Sequence, residues 1–141
     1  MANPADESLL RQRVEEWNVW RGQNARVTTD LAGLEMPEVR VEGVHFNHAQ
    51  LEEATLIRSE MAGAGLSHAN LREAQFHETN IADANLFRAE LAKAAFPGAK
   101  LMRANLRGAD FEGAQFFRSI LARADLSVVA QEFSKTSLRK R

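Results

Sequence analysis

Cysteine is absent from the 141 residues, which removes disulfides, thiolate nucleophiles and thiolate metal sites together. Long apolar runs are absent too. The opening MANPADESLLRQRVEEW places acidic residues early and contains no apolar stretch of signal-peptide length, so secretion is not expected. No segment reaches the length needed to span a bilayer, and a cytoplasmic location is the default expectation. A glycine-rich phosphate loop, a nucleophile elbow and the spacing of a catalytic triad are also missing. Enzymatic activity is therefore not expected, and no cofactor is implied. Neither sign of charge dominates, the net charge being −1. That balance hides an asymmetry. Residues 100–141 hold nine Lys or Arg against four Asp or Glu, about +5, whereas residues 1–99 hold nine basic and fifteen acidic residues, about −6. Such a field can steer a partner or simply keep the molecule in solution.

What is present is a period. From Phe46 every fifth residue is apolar: Phe46, Leu51, Leu56, Met61, Leu66, Leu71, Phe76, Ile81, Leu86, Leu91, Phe96, Leu101, Leu106, Phe111, Phe116, Leu121 and Leu126. With 45% of residues apolar, seventeen in succession arise by chance about once in a million. Two positions before each apolar residue the side chain is small. Of the sixteen positions from Ala49 to Ala124, thirteen are alanine and the others are Ser59, Thr79 and Ser119. Between them Asn or Asp recurs at Asn70, Asn80, Asn85, Asn105, Asp110 and Asp125. The repeat is A-(N/D)-(L/F)-x-x.

Neither common period accommodates it. Five steps turn an α-helical side chain through about 500°, so the apolar residue would drift around every face. Along a flat strand, five steps would alternate it between two faces. A chain that turns a corner every five residues keeps each apolar residue inside, and four right-angled turns close a twenty-residue square coil. In that coil the Leu or Phe fills the middle, and the space at each corner admits an alanine-sized residue. Asn and Asp suit the tight turns, and both x residues point to water.

Segments such as AKLMRANLRGADFEGAQF make the chain resemble the pentapeptide-repeat family. The likeness covers residues 41–126 almost without interruption, with weaker repeats in phase at Leu31, Met36 and Val41. The resemblance implies an all-β solenoid of bacterial type, a right-handed quadrilateral β-helix of about five coils. At a strand spacing of about 4.8 Å the rod would be about 24 Å long.

A solenoid exposes core and unpaired backbone at both ends, so caps are expected. Three segments follow: an N-terminal helical cap at 1–28, the β-helix at 29–126, and a C-terminal cap or short helix with a basic tail at 127–141. The cap reads as one helix over 4–21, with Asn3 as N-cap, Pro4 in the first turn, and Asp6 and Glu7 complementing the dipole. Leu10, Val14, Trp17 and Arg21 line one face, with Trp20 beside them, and Gly22 is the expected stop. At the far end Val128, Val129 and Phe133 either close the last coil or form a homodimer surface. The tail from Leu138 to Arg141 is read as solvated.

Residues twenty apart stack in columns. His48 above His68 is a pair that could begin a metal site, with His45 as a distant third ligand, but the next rung is Arg88. A polar ladder is expected there instead. Glu53 above Glu73 is a carboxylate pair on an open convex surface, with no pocket to desolvate it. The apolar residues at x positions point to a partner surface: Phe87, Phe117, Ile57 and Met102, with Arg88 and Arg118 beside the phenylalanines, match the composition of interface cores. The functional expectation is a scaffold, monomer or homodimer through its C-terminal end, that binds a protein and does not bind nucleic acid directly. The alternative implied by the family resemblance is a DNA mimic regulating a type II topoisomerase such as gyrase. Its mimic surface would be Glu52, Glu53, Glu73, Glu78 and Asp83.

Overall fold

A computed structural model describes residues 2–127. The segments around Val128, Val129 and Phe133 and from Leu138 to Arg141 lie outside the described residues. From Asp30 onward the backbone pairs in parallel with itself at a constant offset of twenty residues, from Asp30–Gln50 to Asn105–Asp125. Each side of the coil contributes one bridged residue between turns, so the element is a β-helix built almost without extended strands.

A complete account of the backbone N–H groups explains the repeat. In the pentad starting at Gln50, the Gln50 N–H donates back to Thr29 O, Leu51 donates forward to Asn70 O, and Glu53 donates to Arg72 O. Ala54 closes the turn on Leu51 O at 3.1 Å. The N–H left over is that of the first x residue. Where the bridged residue is Asn or Asp, its side chain takes that N–H: Asn70 Oδ1 accepts from Arg72 at 3.2 Å, Asn80 from Ala82 at 3.1 Å and Asn85 from Phe87 at 3.1 Å. Asn105, Asp110 and Asp125 do the same for Arg107, Glu112 and Ser127.

The apolar column and the alanine column are buried throughout the central coils. Within the core Phe76, Phe96 and Phe116 stack face on face, with centroids 5.0 Å apart. The alanine-sized limit does not hold in the first coil, where Leu34, Val39 and Val44 occupy the corner positions. Helices, rather than a preceding coil, adjoin that end of the rod.

One correction concerns the first x residue. The first x side chain is half-buried or buried from Asn47 to Met102 except at Arg72, because each lies between its neighbours one rung before and after. The second x residue is exposed except at Gly43, Gly98 and Gly108, and it adopts left-handed backbone in every described repeat. Non-glycine examples include His48 at φ 63°, Glu53 at 59° and Arg88 at 55°.

The N-terminal segment forms two helices rather than one: α1, Pro4–Gln12, and α2, Val14–Gln23, broken at the extended residue Arg13. Asn3 caps α1 through Oδ1, which accepts from Ala5 N at 2.9 Å. Arg11 of α1 donates to Glu35 O, while Trp17 and Asn18 of α2 donate to His45 O and Gly43 O. The bend lets one short segment serve two sides of the first coil. Gly22 is not the stop; α2 runs one residue further and Asn24 closes it, its N–H donating to Arg21 O at 3.1 Å. Neither helix is long and apolar enough to cross a membrane.

Candidate binding surface

The twenty-residue offset sorts the surface residues into columns with fixed spacing. On one face the imidazoles of His48 and His68 stack with centroids 4.9 Å apart and planes 3° from parallel. The His68 ring then meets Phe87 edge-on at 5.6 Å. The Arg88 guanidinium lies 5.4 Å from the Phe87 centroid, a cation–π approach that holds both side chains in place. Rings stacked flat place their nitrogens side by side rather than converging on one point. Among the described residues no group of three or more His, Asp or Glu could hold a metal.

The His48–His68–Arg88 column continues at Gly108, which has no side chain, and the interruption opens a notch. Phe87, Arg88, Asn105, Arg107, Gly108 and Asp125 line a space of about 500 Å³. Among the described residues neither Arg88 nor Arg107 forms an ion pair, whereas Arg58 and Arg103 do. The Asp125 carboxyl is held below its ordinary pKa chiefly by the Ser127 side chain and backbone, with Arg107 adding a smaller attraction.

The other expected contact residues are on different faces. Ile57 is half-buried in the column that ends at Phe117. Phe117 is 45% exposed, and the Arg118 guanidinium lies 5.2 Å from its ring centroid. Met102 is half-buried on a third face, next to Arg103. The six residues therefore form two aromatic–arginine pairs, with Ile57 in the column of the second pair and Met102 separate. The acidic set is divided as well. Glu52, Glu53 and Glu73 share a face, Glu78 lies on the next and Asp83 on the one after. Arg103 holds Asp83 with two hydrogen bonds, Nε to Oδ1 at 2.7 Å and Nη2 to Oδ2 at 2.8 Å. That carboxylate has little free charge to offer a partner.

The twenty-residue columns set Arg107 below Phe87 and Gly108 below Arg88, but Arg107, Asn105 and Gly108 were not among the expected contact residues. The signal was a glycine at the end of a column of larger side chains, which marks a gap in the ladder.

The chain matches the family model for pentapeptide repeats in eight copies, over residues 38–72, 49–86, 69–108 and 84–123. No curated protein matches it. Among solved structures it is similar to alr5209, a pentapeptide repeat protein from Nostoc PCC 7120. Identity is 28% and the TM-score 0.60, over 74% of this chain and 86% of that one. HetL from Nostoc sp. strain PCC 7120, a pentapeptide repeat protein involved in heterocyst differentiation regulation, is 28% identical with a TM-score of 0.48. That match covers 73% of this chain and 53% of HetL, so the chain spans about half of HetL's length. QnrB1, a plasmid-mediated fluoroquinolone resistance protein, is 13% identical with a TM-score of 0.29, over 79% of each chain.

Proposed function

The chain belongs to the pentapeptide-repeat family, and from that premise we propose that it is a non-enzymatic binding module whose rigid rod presents fixed side-chain columns to a protein partner. In this reading the rod has about five coils, α1 and α2 cap its N-terminal end, and the protein works in the cytoplasm. The cap is supported by Trp17, which is fully buried, donates to His45 O and meets the Phe46 ring edge-on at 6.0 Å. Residues 127–141 are read as the second cap or as a homodimer surface.

The observation that carries the function is the Phe87–Arg88 pair beside the Gly108 notch. An aromatic ring with an arginine over it that has no ion pair among the described residues is the composition of interface anchors, and the ladder His48–His68–Phe87 packs against that ring before any partner arrives. Phe117 with Arg118 is a second pair of the same kind on the opposite face of the coil. Anchors held in place before binding lose less side-chain freedom on association. The DNA-mimic alternative requires a row of free carboxylates, and the pairing of Asp83 with Arg103 does not favour it.

Affinity capture from host lysate tests the proposal, comparing wild type with Phe87→Asp, Phe117→Asp. A partner held by wild type and lost by a variant with an unchanged circular-dichroism spectrum supports it. Equal retention of every partner by both proteins overturns it.

A further inference from the structure

The surface has a second patch, at the opposite end of the rod, whose chemistry complements the notch. On the outer side of α2, Glu15, Glu16, Val19, Trp20 and Gln23 surround a shallow cup of about 290 Å³. Val19 is 62% exposed, and Trp20 is half-buried with its ring tilted against Trp17 at 5.7 Å. Both glutamates are exposed; Glu15 approaches Arg13 only at 3.7 Å, and Glu16 has no ion pair among the described residues. The patch is thus acidic and apolar, whereas the notch is basic and aromatic.

We propose that the chain assembles head to tail with further copies of itself, the Glu15–Glu16–Val19–Trp20 face of α2 in one molecule seating on the Phe87–Arg88–Arg107 notch of the next. This rests on the reading of the notch face as a binding surface and names a second copy as its occupant. Glu15 and Glu16 meet Arg88 and Arg107, while Val19 and Trp20 cover Phe87. Burying these apolar groups against each other lowers the local dielectric in which the charges interact. The described part of the chain has the same polarity, about −6 over residues 1–99 against five basic and three acidic residues, about +2, over residues 100–127, which favours a head-to-tail approach. A second copy fits better than a long polyanion such as nucleic acid. The net-negative first 99 residues would repel phosphates beyond the notch, and Asp125 stands at its margin.

The two patches are different surfaces, so the contact is heterologous and leaves one patch free at each end. The assembly therefore grows with concentration instead of stopping at a dimer. Its charged contacts at the rim also make it sensitive to salt.

Sedimentation velocity of the full chain, from micromolar to millimolar concentration and at low and high salt, reads this directly. Two charge-reversed variants complete the test. In Arg88→Glu, Arg107→Glu both patches are acidic, and in Glu15→Arg, Glu16→Arg both are basic. Glutamate at position 88 is compatible with the fold, since Glu53, Glu73 and Glu78 hold the same left-handed backbone at φ 56–61°. Wild type is expected to gain mass with concentration and lose it at high salt. Each variant alone is expected to self-associate at least about tenfold more weakly, and an equimolar mixture of the two to recover association. Wild type that stays monomeric throughout overturns the proposal, as do variants that associate as wild type does. Neither result touches the binding-module reading, which stands or falls on partner capture.

Discussion

Ser59 completes a turn that belongs to Met36, one coil away. Its Oγ donates to Met36 O at 3.2 Å and accepts from Val39 N at 3.2 Å. The hydroxyl thus bridges the two groups that in most other repeats bond each other, as Ala54 N does to Leu51 O. Most repeats carry alanine at this corner, so Ser59→Ala moves the sequence towards its own consensus. The structure predicts the opposite of a consensus gain. Val39 N–H and Met36 C=O lose their partner, which costs about 1–3 kcal/mol when such groups are buried. A fall in the denaturation midpoint for Ser59→Ala, absent in Ala54→Ser, is the expected result.

The left-handed residue in each repeat gives a second prediction. Gly63 has φ +72°, and a Cβ built there meets nothing within 4 Å. Any loss in Gly63→Ala therefore comes from backbone conformation, not crowding, and amounts to about 1 kcal/mol. Asparagine tolerates this region better. Thermal midpoints are expected to rank Gly63 above Gly63→Asn and that above Gly63→Ala; an equal ranking would show that the turn relaxes at no cost.

How much of this was legible follows from which interactions repeat. The five-residue spacing of the apolar residues imposes a corner at every pentad, and the Asn and Asp positions marked the turns. The backbone sign of His48 or Glu53 was hidden, because Glu, Arg and His are not residues whose presence announces left-handed backbone. Half-burial of the first x residue was hidden as well, since it depends on the side chain one rung away. The Phe87–Arg88 pair was visible in sequence, but the notch beside it arises from Gly108, twenty residues further on. At the N-terminus helix propensity and amphipathicity run through Arg13 unbroken. Anchoring to two sides of the first coil, at Glu35 and at His45, accompanies the break.

That anchoring is itself testable at Trp17. Trp17→Phe keeps the contact with Phe46 and loses the Nε1 bond to His45 O, a cost of about 1 kcal/mol. Trp17→Ala also empties a fully buried site and is expected to cost about 3–5 kcal/mol. Denaturation followed by far-ultraviolet circular dichroism measures both. If Trp17→Ala unfolds at the wild-type midpoint, the helices contribute nothing to the stability of the rod.

The Asp83–Arg103 pair predicts a dependence on pH with a definite sign. The hydrogen bonds from Arg103 are the largest cause of the lowered Asp83 pKa, with the attraction of its charge adding to them and desolvation opposing. A carboxylate whose folded pKa is depressed contributes stability above its unfolded pKa, about 3.9 for Asp. That contribution is lost as pH falls through the folded value. Both side chains are about half exposed, so the effect is small and screened by salt. Asp83→Asn should therefore melt below wild type at neutral pH and low salt. The difference should shrink as the pH falls below about 4, and it should also shrink at high salt. A gap that persists unchanged into strong acid would mean that the asparagine disturbs the turn, and that the ion pair is not what ties residue 83 to residue 103 one rung on.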